Sequence, residues 1–290
     1  MLRLLLLLAA VISPIASGQT AVPIEFSIIK TSEVTTREGM VFSGGRYSQP
    51  VKLNHVAILV RHPKGNFLFD SGLGSDIGKQ FKADMPWWAA PFFSYGPVRT
   101  ARSQLDAHGP VPIERIILSH GHWDHASALP DFPGAFVWVT EKERHYLRVP
   151  HRAAVFPSQV SAAATHWVTF QFDPKPFRSF ASSADLFSDG SAVLVPLPGH
   201  TPGSVGMFIT LQSGRQYFFV GDAIWKIDAL AGKQPKMWLA RKIVDDDEAQ
   251  TLGAVAAIDR ERLSNPGLVI IPAHDAQVHD TIGYFPKMNR

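Results

Sequence analysis

Three histidines and an aspartate fall within six positions of the stretch LSHGHWDHASAL: His120, His122, Asp124 and His125. The apolar run RIIL, Arg115 to Leu118, leads directly into it. A fold for this chain must therefore end a buried strand at residue 118 and hold four polar groups just beyond it. His120 and His122, two residues apart, can face one point from a turning segment. Asp124 and His125 lie one turn further and can face a second point nearby. Imidazole and carboxylate are natural ligands of zinc and similar divalent ions. The chain has no cysteine, so a metal site must use His and carboxylates, and disulfides are excluded.

The rest of the chain reads as alternating strands and helices. HVAILVRHPKGNFLFDSGLG is a hairpin, with strands at 56–61 and 67–70 around the turn Pro63-Lys64-Gly65-Asn66. GAFVWVT reads as a strand and EKERHYL as the helix after it. SAVLVPLPGHTPGSVGMFITLQSGRQYFFVGDAIW gives three strands, the last two joined by the turn QSGRQ. DDDEAQTLGAVAAIDRERL is helical, with its acidic residues at the N-terminus, and Asn265-Pro266-Gly267 stops it. LVIIPAH is a final strand. Strands outnumber helices, but helices intervene, so the class is mixed α/β. The acidic run at 245–248 reads as a helix start and not as a metal site.

Three further ligand candidates follow strands: His200 in PLPGHTPGS, Asp222 in FVGDAIW and His274 in IIPAHDA. Each also has a plain structural reading: a turn for His200, a cap for Asp222, a buried strand-end histidine for His274. Taken together, the seven residues divide into two sites. His120, His122 and His200 form the first. Asp124, His125 and His274 form the second, and Asp222, with two oxygens, bridges them. Two divalent cations, zinc first and manganese, cobalt or iron as other occupants, would share a hydroxide able to attack a carbonyl. Asp124 would then relay a proton to the leaving oxygen. The remaining histidines, at 55, 62, 108, 145, 151, 166 and 279, lack comparable partners and read as surface or packing residues.

The first residues differ from the rest. MLRLLLLLAAVISPIASG has one charge at Arg3, an apolar run to Ile12, a breaker at Pro14 and small residues at Ala16 and Gly18. This is the layout of a cleavable signal peptide over residues 1–18, which implies a secreted or periplasmic protein with its working domain at 19–290. The apolar run is shorter than the roughly 20 residues a bilayer span needs, so no stable membrane anchor is expected. A formal charge of +3 on 290 residues, without a basic block, gives no reason to expect nucleic acid.

HGHWDH matches the H-x-H-x-D-H motif of the metallo-β-lactamase superfamily. GHTPGS, GDA and PAHD resemble its later stations in the right order, and LFDSGLG resembles its earlier strand-end motif. The likeness runs from about Asn54 to His274. It implies a four-layer αββα sandwich with the metals at one edge between two sheets. In this family an aspartate at the Asp70 position commonly braces the ligand shell; Asp70 reads equally as a turn former before Ser-Gly. The bridging Asp222 resembles the lactonase, glyoxalase II and organophosphate-hydrolase branches, and the layout as a whole is most similar to the N-acyl-homoserine lactonases. Those enzymes often carry a tyrosine three residues after the bridging aspartate, whose phenol assists the substrate carbonyl. Here that position is Trp225, which can donate but neither accept nor titrate.

The expected function is a secreted binuclear hydrolase of lactones or esters. Alternatives on the same fold are a β-lactamase, an organophosphate or thioester hydrolase, and an iron-dependent redox enzyme. The expected partner is a small molecule with a hydrolysable carbonyl and a hydrophobic part. MPWWAAPFFSYGP, residues 85–97, is too interrupted by proline for a regular element. It reads as a loop giving the metal cleft an apolar wall, with Trp87 and Trp88 in it, or else as packing or a homodimer contact.

Overall fold

Alternation along the strands divides the apolar residues between two kinds of core. The computed structural model describes residues 23–149, 152–163, 165–232 and 234–290; the leader at 1–18 and His151 lie outside them. Among the described residues, one sheet has the spatial order β1 (Glu25–Arg37), β2 (Pro50–Arg61), β3 (Phe67–Phe69), β4 (Arg115–Ile117), β5 (Phe136–Thr140), β6 (His166–Phe170). The second has β7 (Ala184–Asp185), β8 (Ala192–Pro196), β9 (Val205–Thr210), β10 (Gln216–Phe219) and β11 (Val269–Ile271), ordered β11-β10-β9-β8-β7. β3 through β6 are parallel neighbours, as are β10 and β11. Such strands are covered on both faces, which is why FLF and VII are unbroken apolar runs.

Phe67, Phe69 and Ile117 point inward and meet Met207, Ile209 and Phe219 of the second sheet. Leu68 and Ile116, one residue out of phase, face outward onto Leu105 and Leu147 of the helical layer. On the far side, Ala254, Val255 and Ile258 of the helix Glu248–Ser264 cover Phe218 and Val220. The result is the expected α/β four-layer αββα sandwich. The helix begins where its acidic run predicts: Asp247 Oδ1 accepts from Gln250 N at 2.9 Å.

β1 was not legible in the sequence. EFSIIKTSEVTTR lacks clean alternation, because its first half is buried on both faces. Its register with β2 slips between Lys30 and Ser32, leaving Thr31 as an extra residue opposite His55. No helix among the described residues is long and apolar enough to cross a membrane.

Candidate metal centre

The loops after β3, β4, β8, β10 and β11 converge at one edge between the sheets. They carry, in turn, Asp70, the 119–125 cluster, His200, Asp222 and His274. Strand ends hold such loops rigidly relative to one another. Backbone packing fixes them further. Gly199, before His200, has φ +132°, and a Cβ there would lie 2.1 Å from Thr251 N. Glu143 ties two of the loops together. It accepts from Gly121 N at 2.8 Å, Thr201 Oγ1 at 2.6 Å and Gly203 N at 3.2 Å. Burial pushes its carboxyl up to about 7, against those three donors.

His120, His122 and His200 meet as the sequence predicts. Their rings lie with centroids 4.5 Å apart in each pairing. His200 Nδ1 donates to Asp245 Oδ1 at 2.7 Å, so its Nε2 carries a lone pair. His120 Nδ1 lies 3.0 Å from Ser119 Oγ, which itself donates to Asp70, so Nδ1 is the protonated nitrogen and Nε2 is again bare. These two Nε2 atoms face each other at 3.1 Å. Burial holds His120 and His122 well below the ordinary imidazole value and lowers His200 as well, so all three are neutral. Two neutral lone pairs facing at this distance repel unless a cation lies between them. Tetrahedral coordination with bonds of 2.0–2.1 Å separates ligand nitrogens by roughly 3.3 Å, so the arrangement fits a metal ion. His122 Nε2 lies 3.3 Å from Tyr146 Oη, leaving Nδ1 for the group.

The second group contains charge. His274 Nε2 lies 3.0 Å from Asp222 Oδ1 and 3.4 Å from Asp124 Oδ2. His125 Nε2 lies 3.3 Å from Asp222 Oδ1 and 3.8 Å from Asp124 Oδ2. Asp222 also approaches His200 Nε2 at 3.6 Å, so it reaches both groups as a bridging ligand must. Burial opposes charge on His125, but Asp70, Asp124 and Asp222 outweigh it and hold the imidazole well above its ordinary value. Asp222 likewise overcomes the effect of burial on His274 and raises it. Burial would raise Asp222, yet His274 and His125 hold it well below the usual carboxylate range. The two carboxylates favour positive charge at this point, as a site for a divalent cation must.

Partners behind the ligands settle several open readings. Asp70 is a brace: Oδ2 accepts from His125 Nδ1 and from Ser119 Oγ, both at 2.8 Å, and Oδ1 from Ser119 N at 2.6 Å. Its φ of 59° is a conformation aspartate tolerates better than most residues. His274 Nδ1 donates to Asn54 O at 2.8 Å. The acidic run 245–248 is more than a helix start. Asp247 is the cap, but the Asp245 side chain is buried and orients His200 while paired with buried Lys236 at 2.8 Å. It is not a ligand, but it was missed as part of the site.

His55 corrects the surface-or-packing reading. It is buried, lines the cleft, and groups with Asp124 and His274. Trp225 Nε1 donates to Asp222 Oδ2 at 2.8 Å, so its N–H is directed at the bridging carboxylate. The aromatic segment divides. Phe92 and Phe93 line the cleft, and Phe93 and Tyr95 pack on Trp123. Trp87 and Trp88 do not line it; Trp87 is 87% exposed. The apolar wall is therefore built by the phenylalanines, because the turn at Ala90–Phe92 carries the chain past the cleft only after both tryptophans.

The sequence profile of the Metallo-beta-lactamase superfamily matches residues 51–274, a span holding every residue of both groups. The chain belongs to this superfamily. Among curated superfamily relatives, a probable metallo-hydrolase of Mycobacterium tuberculosis is 29% identical over 194 residues, 62% of this chain and 61% of that protein. The match thus spans less than two thirds of that relative's length. An N-acyl homoserine lactonase of Azorhizobium caulinodans is 25% identical over 195 residues, 64% of this chain and 69% of the lactonase. Among solved structures, an N-acyl homoserine lactone hydrolase with the product N-hexanoyl-L-homoserine at its catalytic metal center superposes with TM-score 0.72. It is 17% identical, and the superposition covers 93% of this chain and 100% of the other. That likeness concerns the fold.

Proposed function

We propose that this protein is a metallo-hydrolase that opens lactones and related carboxylic esters with a hydrophobic acyl part, using two divalent cations, zinc first among them. The single observation behind the reading is the convergence of five imidazoles and two carboxylates beside an apolar cleft. His120, His122 and His200 would hold one cation, Asp124, His125 and His274 the other, and Asp222 both. Bound there, such cations make water nucleophilic at neutral pH and polarise a carbonyl. Asp70, Asp245 and Asn54 keep the imidazoles in the required tautomers. Asp124 would protonate the leaving alkoxide oxygen as the acyl carbon–oxygen bond opens, the water's oxygen ending on the acid. Leu53, Phe92 and Met237 give the acyl group an apolar wall. Lactonase names among the relatives support this class. The leader at 1–18 supports export to the periplasm or beyond.

The test is turnover of acyl-homoserine lactones, aryl esters, β-lactams, phosphotriesters and thioesters by the purified protein, with metal analysis on the same sample. The expected result is preferred lactone or ester hydrolysis at two metals per chain, abolished by chelation and restored by zinc, manganese or cobalt. One iron per chain with sulfur-dependent oxygen uptake, and no ester turnover, would overturn it.

A further inference from the structure

Among the described residues, the His55 ring has no hydrogen-bond partner. Its Nδ1 is buried and unpaired. Its Nε2 lies 3.9 Å from Asp124 Oδ2, too far for a direct bond. The ring is wedged against Trp123 and His274, with centroids at 5.5 and 5.7 Å. The backbone is pinned at this residue. The bulge residue Thr31 donates from Oγ1 to His55 O at 2.9 Å and accepts from Leu73 N at 3.0 Å. Bulges beside sites of chemistry commonly re-aim a side chain.

Two roles fit a histidine here: a further metal ligand, or a donor to substrate. The tautomer distinguishes them. A ligand would need bare Nε2 and so a proton on Nδ1, a buried donor with no acceptor in reach among the described residues. An unpaired buried donor carries its full desolvation cost. With the proton on Nε2 instead, the N–H opens toward the cleft, and only an acceptor lone pair is left buried. The N–H of Trp225, which also lines the cleft, is already bonded to Asp222.

Resting on the hydrolase reading above, we propose that His55 Nε2–H is a substrate-contacting donor that holds an oxygen of the reacting ester beside Asp124. An oxygen at an ordinary distance of about 2.8 Å from each partner fits the 3.9 Å gap. His55 is then a catalytic residue without being a ligand.

The experiment compares His55→Phe and His55→Gln with the wild type, reading metal content, kcat/KM for a lactone and an aryl ester, and calorimetric affinity for N-hexanoyl-homoserine. His55→Phe should keep two metals per chain, lose about 100-fold in kcat/KM and bind the product more weakly. His55→Gln, which retains an N–H, should recover about tenfold of that loss. Metal loss in parallel with activity, in either variant, would make His55 a ligand and overturn the proposal. Unchanged turnover and product affinity in His55→Phe would overturn it too. Should His55→Phe fail to fold, the glutamine variant decides: two metals with a smaller loss support the role, and loss of a metal refutes it. Absence of wild-type ester turnover sinks the hydrolase reading; equal product affinity in wild type and variants sinks this one separately.

Discussion

The two ligand groups share Asp222 but are built on opposite electrostatic plans. The His120–His122–His200 group is three neutral imidazoles, kept neutral by burial. The His125–His274 group holds two carboxylates, which raise its imidazoles against the effect of burial. Their supports differ as well. Asp245, itself paired with Lys236, stands behind His200. Asp70 stands behind His125 and a backbone carbonyl behind His274. A cation entering the first group meets chiefly neutral imidazoles, whereas one entering the second meets two carboxylates as well. The difference teaches that one scaffold edge can present two sites of distinct ligand charge, using ligands a few residues apart.

The largest effect should come from removing what the groups share. Asp222→Ala should lower metal content from two to one or fewer and cut kcat by about 10³-fold or more, beyond the 10- to 100-fold typical of an orienting residue. Full turnover at two metals would contradict the bridging role. Next, the groups should come apart when their braces are altered singly. Asp245→Asn should weaken one metal's affinity about 10- to 100-fold, and Asp70→Asn the other's. Competition with a chelator, read on cobalt-loaded protein, would expose any variant that weakens both equally and so erases the distinction.

A smaller effect concerns the cleft. Phe92→Ala should raise KM for long-chain lactones about tenfold, since part of an apolar contact is lost, and leave short-chain substrates nearly unchanged. The exposed Trp87, changed to Ala, should show no such chain-length split.

The smallest effect is on stability and acts behind the second group. His279 is fully buried, accepting from Asn54 Nδ2 at 3.1 Å and donating to Pro272 O at 2.9 Å. Burial pushes it down to about 4. The unfolded chain takes up a proton near 6.5 and the folded chain only near 4. Stability is therefore complete above pH 6.5 and declines as pH falls toward 4, by roughly 2–3 kcal/mol. Melting temperature against pH should show this slope, and His279→Gln should flatten it.

All seven proposed ligands were legible in the sequence, and the structure brings them together. Their types and order announce them, and each follows an apolar run that must become a buried strand. The hairpin, the central strands and the long capped helix were legible for the same reason. Strand β1 was not, because burial on both faces removes the alternation that marks a strand.

Local order thus determined which groups the chain can offer to a metal: residue chemistry and strand ends are encoded within a dozen positions. Only the tertiary structure decided which groups stand behind and beside them. The Asp245–His200 bond joins residues 45 apart and the Asn54–His274 bond residues 220 apart, and strand β2 carries His55 to 3.9 Å from Asp124. Such partners leave no periodic trace, because a hydrogen bond constrains two positions in space and none of the sequence between them.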